Sequence, residues 1–69
     1  MKKLLLEFDD APASLDTQYI FHNEEDMKEW FYKNSDIFTK WEITGDIVQF
    51  TVNHSWKSFA TFKYVTALL

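Results

Sequence analysis

The residues best equipped for chemistry gather in "FHNEEDMKEWFYKN", residues 21–34, where His22 and three carboxylates, Glu24, Glu25 and Asp26, precede Trp30, Phe31 and Tyr32. A hard-metal site or an acid–base pair needs such groups to converge on one point. Successive residues of a helix point about 100° apart, however, so these three carboxylates diverge. Asn23 ahead of them is a favoured N-cap, able to accept a bond from an unpaired backbone N–H of the first turn. Acids in that turn also meet the positive end of the helix dipole. A helix start therefore explains all three without a ligand. His22 and His54 each precede an expected helix start, and the two imidazoles meet only if those starts adjoin. No carboxylate is placed to complete a ligand set with them. Asp9 and Asp10 close a strand before Pro12 and read as loop. No metal and no other cofactor is expected.

The rest of the catalytic vocabulary is missing. One glycine in the whole chain cannot build a phosphate-binding loop or a dinucleotide fingerprint, which need several. Nor can it build a Gly-x-Ser-x-Gly nucleophile elbow. There is no cysteine, which removes disulfides, thiolate chemistry and cysteine-based zinc sites. The expected protein is not an enzyme.

Several elements can be read from spacing. Residues 3–8 set Leu4, Leu6 and Phe8 on one side of a strand, and residues 17–22 are β-branched and aromatic, so the two form an antiparallel hairpin across the Pro12 loop. Residues 24–37 form a helix with Met27, Trp30, Phe31, Asn34 and Phe38 along one side. On its outer side Glu24–Lys28 and Glu29–Lys33 are i,i+4 pairs in the favoured order. Residues 40–52 form a second hairpin around Gly45-Asp46, a pair suited to a type II′ turn. That register opposes Ile43 with Val48, Trp41 with Phe50 and Glu42 with Gln49, separating apolar from polar pairs.

The last stretch, residues 54–69, supports two readings, with residues 55–68 either helix or strand. Ser55 could cap a helix whose inner stripe is Phe59, Phe62, Thr66 and Leu69, with Val65 beside it. As a strand, Lys57, Phe59, Thr61, Lys63 and Val65 share one face, in residue types that favour strands. Length favours the helix, because sixteen residues is long for a strand. The expected fold is then α+β: one compact domain over residues 1–69, with about four antiparallel strands in the order β-β-α-β-β-α and the helices on one face.

A chain of 69 residues is near the lower limit for folding by burial alone, and seven Phe, three Tyr and three Trp supply the apolar area it needs. Trp30, Phe31, Phe38, Trp41, Phe50, Phe59 and Phe62 are assigned to the core; Tyr32, Trp56 and Tyr64 fit it less well and are expected at the surface. "MKKLLLEF" opens like an export signal, but Glu7 ends the apolar run, so a strand in a cytoplasmic protein is expected. No stretch has the length of a membrane span.

Charge is unevenly spread. All eleven carboxylates fall at or before Asp46, with five lysines among them, whereas Lys57 and Lys63 stand alone after it. The primary expectation is a small protein-binding module, an accessory or phage-type inhibitor or modulator of a larger, nucleic-acid-handling bacterial protein with a basic patch. Its contact residues would be Glu24, Glu25, Glu29, Tyr32 and Asp36, the acidic face of the helix. A net charge of −4 is too sparse for outright mimicry of duplex DNA. The alternative is single-stranded nucleic-acid binding by Trp56, Lys57, Lys63 and Tyr64, aromatics interleaved with cations. A homodimer hiding surplus apolar surface is compatible with either.

Overall fold

The computed structural model describes residues 2–66, which form one five-stranded antiparallel sheet and one short helix. In chain order the elements are β1 (Lys2–Phe8), β2 (Gln18–Phe21), α1 (Glu24–Lys33), β3 (Phe38–Thr44), β4 (Ile47–Val52) and β5 (Trp56–Thr66). Across the sheet the order is β2-β1-β5-β4-β3.

This corrects the expected α+β layout. Residues 56–66 are not a second helix but the central strand, and most of the described chain is strand. The reason is backbone pairing. Both hairpins, β1–β2 and β3–β4, present an unpaired edge, and β5 satisfies both at once. Its first half pairs with β4 from Val52↔Trp56 to Ile47↔Thr61, and its second half with β1 from Phe8↔Ala60 to Lys2↔Thr66. A helix there would leave two rows of N–H and C=O groups without partners, a cost that outweighs any preference set by length. Ser55 caps no helix. It closes a tight turn by donating its N–H to the Val52 carbonyl at 3.2 Å, around Asn53 and His54 at φ 50° and 62°. Asn and His are among the few non-glycine residues that enter this left-handed region readily. Leu69, the last member of the expected helical stripe, lies outside the described residues.

Alternation along each strand now defines two faces. Toward α1 point Leu4, Leu6 and Phe8 of β1, Val48, Phe50 and Val52 of β4, and Ala60 and Phe62 of β5, all buried. Met27 and Phe31 of α1 complete this core and are fully buried. Phe38 is its hub: its ring centroid lies 4.8 Å from Phe31, 5.2 Å from Phe50 and 6.0 Å from Phe8. Phe59, assigned to the core by helical spacing, instead faces away from α1 and is 44% exposed. It follows Lys57 and precedes Thr61 on the opposite side of the sheet.

The helix is also shorter than expected. It ends at Lys33, where Asn34 caps the last turn by donating its side-chain amide to the Trp30 carbonyl at 2.8 Å. Phe38 consequently begins β3 rather than extending the helical stripe. A bulge between Phe38 and Lys40 lets both Phe38 and Trp41 point inward although they are three positions apart. Thr39, the extra residue, donates its hydroxyl to the Thr51 carbonyl and accepts the His54 N–H. The β3–β4 hairpin has the register read from the sequence, with Ile43↔Val48, Trp41↔Phe50 and Glu42↔Gln49. Gly45 adopts φ 63° and Asp46 does not have positive φ, as a type II′ turn requires.

Candidate functional site

Three successive acids open α1, and local bonding explains them. Asn23 is extended (φ −161°) and its Oδ1 accepts the Asp26 N–H at 2.9 Å. Replacing Asn23 with alanine is expected to cost about 1 kcal/mol of stability, read as a lower urea midpoint with an unchanged slope. Glu24 then bonds Lys28 at 3.5 Å, and Glu29 bonds Lys33 at 3.2 Å. The Glu29–Lys33 pair is solvent-exposed and the Glu24–Lys28 pair partly so, and each contributes only a few tenths of a kcal/mol.

The helix separates the expected contact residues into two rows. Glu25, Glu29 and Tyr32 stand at i, i+4 and i+7, on one exposed stripe, whereas Asp36 is exposed in the turn beyond the end of the helix. Glu24 belongs to the neighbouring row with Lys28, against the sheet side, and is half-buried. Among the described residues Glu25 and Asp36 have no ion-pair partner. Tyr32 is the most exposed large hydrophobic residue among those described, at 68%, yet its ring stands edge-on to Trp41 with centroids 5.1 Å apart. It is an aromatic held out toward solvent rather than a loose one.

The expected C-terminal set is divided by the strand. Trp56 and Tyr64 project toward the α1 side, with Trp56 set edge-on to Phe50 at 6.0 Å. Lys57 and Lys63 project from the other face, so the four residues do not form one stacking platform. What that face does bring together went unread in the sequence. The registers align Lys40, Thr51 and Lys57 in one row across three strands, and Glu42, Gln49 and Phe59 in the next. These six line a shallow open groove. Alternation also places Lys3 and Lys63 on this side, with Glu7 and Glu42 as its carboxylates, while Glu25, Glu29 and Asp36 belong to the helix side. The domain thus has a helix side rich in acids and an uncovered sheet face richer in lysine, with Ile20 and Phe59 exposed on it. The signal that could have found this face is the period-two pattern of residues 57–65, which a strand reading already aligned.

The two histidines are far apart. His22 lies at the β1–β2 end of the sheet, its Nδ1 2.7 Å from Lys3 Nζ, and Lys3 is opposite Val65 in β5. His54 lies in the turn before Trp56, the other end of β5, roughly 30 Å away at about 3.4 Å per residue. Among the described residues no three His, Asp or Glu are grouped to hold a metal ion, and no helix is long and apolar enough to cross a membrane. A scan against models of known protein families finds no match, and comparisons with curated proteins and with solved structures find none either.

Proposed function

We propose that this protein is a non-catalytic, cytoplasmic binding module that docks on a larger protein through the outer stripe of α1. The partner surface is a basic patch, of the kind that nucleic-acid-handling proteins carry. The observation that supports this reading is Tyr32, exposed but braced by Trp41 and preceded along one stripe by Glu25 and Glu29, with Asp36 exposed in the turn that follows. A braced aromatic loses little side-chain freedom on burial, which favours it as an anchor. The surrounding carboxylates steer a cationic partner and set its orientation more than they add affinity.

The test compares immobilised wild-type protein with Tyr32→Ala and with Glu25→Lys/Glu29→Lys in bacterial lysate. Once a captured protein is identified and purified, Tyr32→Ala is expected to weaken its binding by about 2 kcal/mol, or roughly thirty-fold. The charge reversal is expected to slow association and to flatten its salt dependence. Equal capture and equal affinity for all three proteins would sink the proposal.

A second reading draws on the opposite face, where Lys40, Lys57 and Phe59 are brought together. These groups have the character of a single-strand binding groove, a base stacking on Phe59 with lysines along the backbone. Fluorescence anisotropy with a labelled single-stranded oligonucleotide at low salt distinguishes the two readings. Binding that is lost in Phe59→Ala and falls steeply with salt supports this face instead of the helix stripe.

A further inference from the structure

The sheet has two unlike edges. β2 is four residues long, and a short edge strand is itself a protection against pairing with another chain. β3 runs for seven residues, and among the described residues it pairs with β4 alone. Its one irregularity, the bulge at Thr39, lies near its start, so Lys40–Thr44 is a regular open edge without proline. A shallow groove lined by Lys28, Tyr32, Ser35 and Trp41 separates α1 from this edge, leaving the edge accessible.

The edge is complementary to itself. From the geometry we infer that β3 pairs antiparallel with β3 of a second copy, about a twofold axis through Trp41, to give a continuous ten-stranded sheet. That axis sets Lys40 opposite Glu42 of the second copy and Glu42 opposite its Lys40, so two ion pairs form on the uncovered face. Trp41 meets its own counterpart on the α1 side. Neighbouring axes do not work as well. Centred on Lys40 or on Glu42, the strand sets a charge against its own copy; centred on Ile43, it opposes Lys40 with Asp46 beyond the strand's end.

Backbone direction agrees with the same axis. The two-residue turn makes Thr44–Ile47 a hydrogen-bonded pair, and alternation along the ladder then turns the N–H and C=O of Trp41 and Ile43 toward the free edge. Trp41 and its counterpart therefore exchange the central bonds. Lys40 and Glu42 occupy the closer, non-hydrogen-bonded positions, where side chains across the seam approach best. The interface is isologous and closes at two copies, so it produces a dimer and not a fibre.

Sedimentation velocity of the full chain over a range of concentrations tests this independently of any captured partner. Wild-type protein is expected to reach twice the monomer mass as concentration rises. Glu42→Lys and Lys40→Glu each place like charges across the seam and are expected to weaken the dimer about tenfold or more. Both positions are exposed, so circular dichroism should show the fold retained. Mixed one to one, the two variants regain both opposite-charge pairs and should form a heterodimer. A wild-type monomer at every concentration, variants that associate as wild type does, or a mixture that fails to recover would each overturn the inference.

Discussion

Thr61→Pro is expected to unfold the domain. Thr61 lies where β5 is flanked on both sides, opposite Glu7 of β1 and Ile47 of β4. Proline there removes an N–H from a central ladder and pushes its ring against the neighbouring strand, a position from which sheets exclude it. The loss is about 3 kcal/mol or more. A domain of this size has on the order of 3–10 kcal/mol in total, so little folded protein should remain. Gln18→Pro is the control. Gln18 begins the edge strand β2, and its loss removes only an exposed side-chain bond to Glu7 at 3.0 Å. Urea titration followed by tryptophan fluorescence should show a cooperative transition for Gln18→Pro and none, or one at very low urea, for Thr61→Pro. Equal midpoints would mean that β5 is not the central strand.

The second large effect is in the core. Phe31→Ala is expected to cost about 3–5 kcal/mol, because Phe31 is fully buried among two rings of β3 and one of its own helix. Its centroid lies 4.8 Å from Phe38, 5.1 Å from Trp30 and 5.2 Å from Trp41. The cavity left by its removal would detach α1, whose only other fully buried side chain is Met27. It would also free Trp41 and with it the brace behind Tyr32. Phe59→Ala, the same chemical change on the uncovered face, should cost less than about 1 kcal/mol, since little is packed on it. A comparable loss from both variants would contradict the assignment of Phe59 to the surface.

That pair of phenylalanines shows where reading from spacing stopped. Phe31 belongs to a helix announced by its own neighbours: Asn23 as cap, acids in the first turn, and Met27 and Phe31 four apart. Phe59 belongs to a segment rich in Phe, Thr, Tyr and Val, in which both a 3.6-residue and a two-residue period can be traced. Helical spacing made Phe59 a core residue, and strand alternation puts it outside with Lys57. The end of α1 was lost for a related reason. Phe38 fits the helical stripe, yet the Thr39 bulge and pairing with Val52 draw it into β3.

Of the candidate sites, the helix stripe was the more legible. Glu25, Glu29 and Tyr32 are neighbours through the helix repeat alone, and only the brace from Trp41 comes from another element. The row Lys40–Thr51–Lys57 exists only once three strands are side by side, and the C-terminal set of Trp56, Lys57, Lys63 and Tyr64 is split for the same reason.

By itself, then, the sequence determined what hydrogen bonds and side-chain contacts within a few residues can decide: the start of α1, the Gly45-Asp46 turn and the register of the hairpin around it. The absence of cysteine and the single glycine likewise removed whole classes of chemistry without any fold. Only the tertiary structure decided the state of β5, because two distant hairpin edges needed the same partner and local preference could not register their demand. With β5 placed, the sheet acquired its uncovered lysine-bearing face and, at β3, the open edge whose order of charges matches a second copy of itself.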